Sequence, residues 1–256
     1  MKYYEQLLRL GCFTWGELCE VVGNAKSADS LARNYLKKGY IQSVKRGLYT
    51  AVDLVTKESA VSKFRIAGKI TPTSYVSHHA AFEYYGCANQ VSYQIEVSSG
   101  TVFNSFEYAG ITFAYLGSRI SEGIVTRPDR VRLTDAERTV LDNINDFEKV
   151  MGLEELLRCL KLIPMVKEDK LLTYLNAYGK QVLYQKAGYI TEHFRNIWNL
   201  SDNFFIACEA RIGKSKRYLY KPTLHEEMKY NRRWRLVVPH DLMEITNKGV
   251  NFDADI

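Results

Sequence analysis

Apolar residues recur with helical spacing through the first forty positions, punctuated by glycines. Tyr3, Leu7, Leu8 and Leu10 form a stripe that ends at Gly11, the pattern of an amphipathic helix and its stop. Thr14 is placed to cap a second helix carrying Trp15, Leu18, Val21 and Val22, which Gly23 ends. Ser27 reads as the N-cap of a third, ADSLARNYLKK, closed by Gly39 in the position that favours left-handed backbone. Its apolar stripe is Ala28, Leu31, Tyr35 and Leu36, and its polar face carries Ser30, Arg33, Asn34 and Lys37. The pattern then shortens to strand-like pieces: Tyr40 to Val44, a basic turn Lys45-Arg46-Gly47, and Leu48 to Ala51. Three helices and a hairpin within about fifty residues predict a winged helix-turn-helix.

After a connector from Asp53 to Thr56, KESAVSKFRIAGK predicts a helix leading to Pro72. SYVSHHAAFEYYG predicts another, with Ser77 as N-cap and Gly86 as stop. VSYQIEVSS, NSFEYAGITFAYLG (turning at Ala109-Gly110) and VRLT predict strands. From TDAERTVLDNI onward the spacing is helical, and short strands with two basic stretches close the chain. Strands first and helices later make the fold class α+β: an N-terminal winged helix-turn-helix over residues 1–55, then a mixed α/β C-terminal domain over 56–256.

Charge changes this picture once it is located. Residues 1–70 hold 12 Lys+Arg against 6 Asp+Glu, whereas residues 71–256 hold 23 of each, so the whole excess of +6 sits in the first quarter. A basic head on a neutral body points to a polyanion partner. Within the helix–hairpin motif, Lys26, Arg33, Lys37, Lys38, Lys45 and Arg46 face a single acid, Asp29. Arg33 suits a bidentate contact to guanine and Asn34 one to adenine, while Ser27 and Ser30 suit phosphate or base edges near the helix start. Lys37, Lys38, Lys45 and Arg46 would neutralise phosphates. Arg211, Lys214, Lys216, Arg217, Arg232, Arg233 and Arg235, with Tyr218, Tyr220 and Trp234 among them, offer a second basic surface. That surface fits nucleic acid, an acidic partner, or a solvated edge hairpin equally well.

Catalytic patterns are not found. His78-His79 are adjacent on a helix and point about 100° apart, a poor chelating pair. His193, His225 and His240 have no acid or Cys at ligand spacing. Five cysteines (12, 19, 87, 159, 208) are odd in number and lack a C-x-x-C pair, which predicts reduced thiols in a cytoplasmic protein. Gly213-Lys214-Ser215 lacks the upstream Gly of a phosphate-binding loop. Glu137 and Asp142 read as capping and surface-pairing residues of their helix. No apolar run is long enough to span a bilayer, and the start of the chain lacks a signal-peptide core. The expectation is a protein that is not an enzyme and takes no metal and no cofactor.

FTWGELCEVVG, SADSLARNYLKKGYIQSVKRGLYT, SYVSHHAAFEYYG and VRLTDAERTVLDNI, in that order, resemble the AbiEi antitoxins of type IV abortive-infection toxin–antitoxin pairs. The family's wing-closing element appears as Arg46-Gly47-Leu48-Tyr49. The start of its second domain appears as Ala81-Phe82-Glu83-Tyr84-Tyr85-Gly86, with Phe82 where the family prefers Leu. Its following helix appears as Glu137-Arg138-Thr139-Val140-Leu141-Asp142. The matching pieces cover about the first 145 residues. The resemblance implies a phage-defence antitoxin whose winged helix binds inverted repeats in its own promoter and represses transcription by autoregulation. It also implies a C-terminal antitoxin domain that counters a nucleotidyltransferase-type toxin without a stable complex. Two other classes compete: a metal-dependent defence nuclease with a winged-helix targeting head, and a module whose basic head binds an acidic protein.

Overall fold

The computed structural model describes residues 2–246 apart from residue 225. The first stretch forms α1 (Tyr4–Leu10), β1 (Cys12–Thr14), α2 (Trp15–Val22), α3 (Ala25–Lys37), β2 (Ile41–Lys45) and β3 (Leu48–Ala51). β3 runs between β1 and β2, antiparallel to both. Local chemistry sets these ends. Thr14 and Glu17 form a capping box, with the Glu17 N–H donating to Thr14 Oγ1 at 3.3 Å and the Thr14 N–H to Glu17 Oε2 at 2.8 Å. The apolar faces of the helices meet in one core of Leu7, Phe13, Leu18, Ala28, Ala32 and Tyr35, closed by Ile41 and Ala51 of the sheet.

α4 (Lys63–Ala67) and a mixed sheet follow: β4 (Tyr75–Val76), β5 (Gln94–Ser99), β6 (Phe106–Tyr108), β7 (Ile111–Gly117), β8 (Ile124–Thr126) and β9 (Arg132–Thr134), in the order β6-β7-β5-β4-β9-β8. β6 and β7 are joined at Ala109-Gly110, both at positive φ (52° and 74°), as a two-residue hairpin with right-twisted strands requires. The helix expected over KESAVSKFRIAGK shrinks to α4. Asp53 accepts the N–H groups of Val55 and Thr56 and so turns the chain, and Val52 bridges Ser59, which leaves too few residues for a longer helix.

The chain falls into two compact units, and they run differently from a division at 55/56. One unit holds the residues through Val76 together with Ser92–Ser118 and Val125–Leu133. Side chains within it tie the first helices to later segments. Arg65 donates to the Leu10 carbonyl at 2.7 Å, and Lys69 pairs with Glu17 at 2.5 Å. Tyr108 donates to Gln42 Oε1 on β2 at 2.5 Å. Burial, with the neighbouring Cys12 adding to it, pushes the Tyr108 hydroxyl up to about 12, so it stays a donor.

The other unit comprises Ser77–Val91, Arg119–Ile124 and the chain from Thr134. It contains α5 (His78–Tyr84), α6 (Ala136–Val150), α7 (Gly152–Leu162), α8 (Glu168–Tyr178), α9 (Gln181–Glu192), α10 (Arg195–Trp198) and α11 (Asp202–Glu209). A small sheet, β10 (Arg217–Tyr218), β11 (Met228–Asn231) and β12 (Leu236–Pro239), has β12 at its centre. Leu156, Leu160, Leu171, Leu183, Ile190, Phe194 and Phe204 belong to its core. The overall class is α+β, and no helix among the described residues is long and apolar enough to cross a membrane.

One expectation about α6 is corrected. Glu137 and Asp142 are buried rather than at the surface, and the capping residue is Asp135, whose side chain accepts the Arg138 N–H at 2.9 Å. Glu137 accepts the Lys167 N–H at 2.9 Å. Asp142 takes Arg138 Nε at 2.6 Å, both side chains being 1% exposed.

Candidate nucleic-acid interface

α3 starts two residues before Ser27. Asn24 is its cap, accepting the Ser27 N–H at 2.8 Å, so Ser27 lies inside the first turn with its hydroxyl toward solvent. The cause is competition between two good capping residues: Asn24 stands before Ala25, a strong helix former, and capping there adds a turn. At the other end Gly39 takes φ 70°, the Gly39 N–H reaches the Leu36 carbonyl and the Tyr40 N–H the Tyr35 carbonyl at 2.9 Å. This is a Schellman closure, and its usual apolar contact is present as an edge-on pair of the Tyr35 and Tyr40 rings, 5.3 Å between centroids.

Ala28, Ala32 and Tyr35 are buried, with Leu31 half-buried beside them. Leu36, placed on the apolar stripe by spacing, is 38% exposed, because it lies about 100° round the helix from Tyr35 and about 140° from Leu31, at the edge of the buried side. Opposite the buried side, Lys26, Ser30, Arg33 and Lys37 follow at intervals of four, three and four and form one exposed row. Lys26 was not among the expected contact residues, although its spacing to Ser30 and Arg33 marks it. Ser27, Asn34 and Lys38 lie on one flank of the row and, with Tyr3 of the α1 end, line a groove of about 830 Å³. Arg33 is held in an exposed ion pair with Asp29 one turn earlier. Such pairs contribute about 0.3–0.5 kcal/mol, so the guanidinium is readily redirected.

The hairpin supplies one free cation. The turn is two residues long, Arg46-Gly47, since Lys45 pairs with Leu48. Gly47 takes φ 78° and its carbonyl accepts the Trp15 N–H at 2.9 Å, fixing the turn beside the start of α2. Arg46 is exposed. Lys45, expected to neutralise phosphate, is only half-exposed and sits over the rings of Phe103 and Phe106 at 5.3 and 5.4 Å. Its ammonium is engaged by aromatic faces, which sequence alone, with those residues nearly sixty positions away, does not show.

The later basic residues divide as well. Arg211, Lys214, Lys216, Arg217 and Arg232 are exposed and Arg235 is half-buried. Arg233 is a clasp: it pairs with Glu192 and with Glu209, the latter at 2.6 Å, and lies over the Trp234 ring. It belongs to the internal structure and not to a free basic surface.

The fold also assembles a buried polar hub that spacing hid. His79, Glu155 and Cys159 bring their ligand-type atoms within 4.8 Å of one another. Glu155 Oε1 accepts the N–H groups of Asn89 and Gln90 at 3.0 and 3.2 Å and the Cys159 thiol at 3.4 Å, with His79 Nε2 at 3.3 Å. His78 turns instead to Asp146, at 3.8 Å. The hub anchors the segment after α5 onto α7. All five cysteines are free, and His225 lies outside the described residues.

No protein-family model matches the chain, and no curated protein matches it. Among solved structures it is similar to the crystal structure of the RV2827C protein from Mycobacterium tuberculosis, with a TM-score of 0.67 and 12% identity over 96% of this chain and 93% of that one. At that identity the likeness is one of fold.

Proposed function

We propose that the chain is a DNA-binding repressor of the AbiEi antitoxin kind, whose first three helices and hairpin act as a winged helix-turn-helix. The observation that carries the reading is the row Lys26, Ser30, Arg33 and Lys37, exposed along one side of a helix whose other side is locked in the core, with Arg46 exposed at the hairpin tip. A single exposed helix fits the major groove, and Arg33 with Asn34 offers bidentate groups to purine edges. Lys26, Lys37, Lys38 and Arg46 hold the phosphates on either side, and Ser27 and Ser30 add hydroxyl donors near the helix start. Lys45 supports the hairpin through Phe103 and Phe106 rather than touching DNA. Repression is by occupancy of inverted repeats in the chain's own promoter.

The antitoxic role rests on the order and spacing of the four matching segments. In this reading the rest of the chain opposes a nucleotidyltransferase-type toxin without forming a stable complex, acts without catalysis, and works in the cytoplasm. The test has two arms. A reporter driven by the DNA upstream of the gene should be repressed by the wild-type chain and released by Arg33→Ala. Co-expression with the neighbouring toxin gene should restore growth with either form. Loss of rescue in Arg33→Ala alone, with the protein folded, would contradict the separation of the two roles.

A further inference from the structure

The sheet β10-β12-β11 has one face in the core and one in solvent. Leu236 and Val238 of β12 point inward to the core cluster that also holds Leu219 and Trp234. Val237, between them, points outward. The ladder places Tyr218 of β10 and Tyr230 of β11 directly opposite Val237 on its two sides, so the three side chains form one row across the outer face. Tyr218 is 53% exposed and Tyr230 46% exposed, while Val237 between them is 7% exposed. Lys216, two residues before Tyr218 and on the same face, reaches across to lie 5.2 Å from the centre of the Tyr230 ring.

Charge on the strands and their flanks is one-sided, the two acids Glu226 and Glu227 lying in the connection between β10 and β11. Residues 213–221 and 228–238 contain four basic residues each and no acid. Arg233 is taken up by Glu192 and Glu209, but Lys214, Lys216 and Arg232 remain exposed in the segments flanking the tyrosine row, while Arg217 and Lys229, opposite Leu236 and Val238, alternate toward the other face. The support beneath is rigid. Gln185 donates to the Trp234 carbonyl at 3.1 Å, and the Trp234 indole packs so closely on Gly188 of α9 that a Cβ there would run into the ring. The Trp234 Nε1–H donates to Glu192 at 2.7 Å.

We infer that this outer face binds single-stranded RNA, with bases stacked on Tyr218 and Tyr230 and the backbone held by the surrounding cations. Two tyrosines on strands either side of a central one, whose backbones stand roughly 10 Å apart, present stacking surfaces to unpaired bases. Stacking of bases on sheet aromatics inside a basic rim is how sheets take up unpaired nucleic acid in general. Duplex DNA hides its base faces and cannot use the tyrosines. Unpaired bases are ordinary in RNA loops and ends, which favours RNA as the occupant. This site uses other residues than the α3 row and does not rest on the repressor reading.

The test is fluorescence anisotropy of the full chain with a labelled twelve-nucleotide oligo(U), oligo(dT) of the same length, and a duplex of mixed sequence. The variants are Tyr218→Ala/Tyr230→Ala, Tyr218→Phe/Tyr230→Phe and Arg46→Ala. The double alanine variant should bind oligo(U) at least tenfold more weakly, the double phenylalanine variant within about threefold of wild type, and Arg46→Ala unchanged. Both tyrosines are half-exposed, so the thermal midpoint should hold in every variant. Equal loss of oligo(U) binding in Arg46→Ala, no loss in the double alanine variant, or tighter binding of oligo(dT) than of oligo(U) would each overturn the assignment.

Discussion

Replacing Arg138 with Met should destabilise the helical unit far more than a typical surface change. The Arg138 side chain is 1% exposed and serves several partners at once. Its Nε donates to Asp142 Oδ1 at 2.6 Å, its Nη1 donates to the carbonyls of Ile120 at 3.1 Å and Glu122 at 2.7 Å, and its guanidinium lies 5.4 Å from the Tyr178 ring centre. Among the described residues, removing the cation leaves Asp142, also 1% exposed, with the Tyr178 hydroxyl alone, and leaves the two part-buried carbonyls of Ile120 and Glu122 without this donor. Breaking a buried pair in this way costs about 3–5 kcal/mol. For a unit of this size that corresponds to a fall in melting midpoint of roughly 6–20 °C. The assay is thermal unfolding followed by tryptophan emission, since Trp198 and Trp234 are both buried in this unit. Arg138→Met combined with Asp142→Leu should recover at least half the loss, because it removes the stranded charge and leaves only neutral groups unpaired. A single variant within about 1 kcal/mol of wild type, or a double variant no better than the single, would refute the reasoning. The same result bears on the nuclease reading, since an Asp142 held this way serves packing.

Asp29→Asn should tighten binding of the chain to DNA by about two- to fivefold at moderate salt, because it releases Arg33 and removes a carboxylate from the contact face; a filter-binding titration showing weaker binding would count against α3 as the contact helix. Gly188→Ala should cost about 1–3 kcal/mol through the clash with Trp234, read as a loss of midpoint in the same tryptophan signal. Asp146 predicts an acid limb to stability. Burial works against its charge, but hydrogen bonds from His78, Lys149 and Asn145 outweigh burial and hold the carboxyl well below the usual range. Its contribution is therefore full above the ordinary carboxylate pKa near 4 and is lost as pH falls toward the folded value. Asp146→Asn should lower stability at neutral pH and flatten the decline below about pH 4, as denaturant titrations at several pH values would show.

Elements whose causes are local were legible in the sequence. The Thr14 cap of α2, the Gly39 closure of α3 and the Ala109-Gly110 hairpin each depend on residues within five positions of one another, and each appears where spacing placed it. What was not legible depends on distant partners or on close local competitors. β1 is three residues long, too short to show alternation, and becomes a strand because β3 pairs with it. Asn24 and Ser27 are both good caps three residues apart, and propensity alone does not rank them. Lys45 is engaged by Phe103 and Phe106, and Gln42 by Tyr108 sixty-six residues away, so neither the reach of the hairpin cations nor the boundary of the unit can be read from the first fifty residues. Arg138 and Asp142, one turn apart, look like any surface i,i+4 pair, and only the packing of α8 and the segment around Ile120 makes them interior. A helix that begins after Ser27 leaves Lys26 outside it, and only the cap at Asn24 brings Lys26 into the exposed row.

The central claim is that α3 reads DNA sequence while the hairpin tip holds the backbone. Its most direct test is a mobility-shift titration on the DNA upstream of the gene and on a scrambled duplex, over a range of salt, with wild type, Arg33→Ala and Arg46→Ala. Point variants are preferable to removing residues 1–55, since Arg65, Lys69 and Tyr108 all bond to that segment. The account predicts that wild type prefers the upstream DNA, that Arg33→Ala loses about 1–3 kcal/mol mainly on that DNA, and that Arg46→Ala weakens both duplexes and reduces the salt slope by about one. Equal binding of wild type to both duplexes, or an unchanged preference in Arg33→Ala, would contradict it.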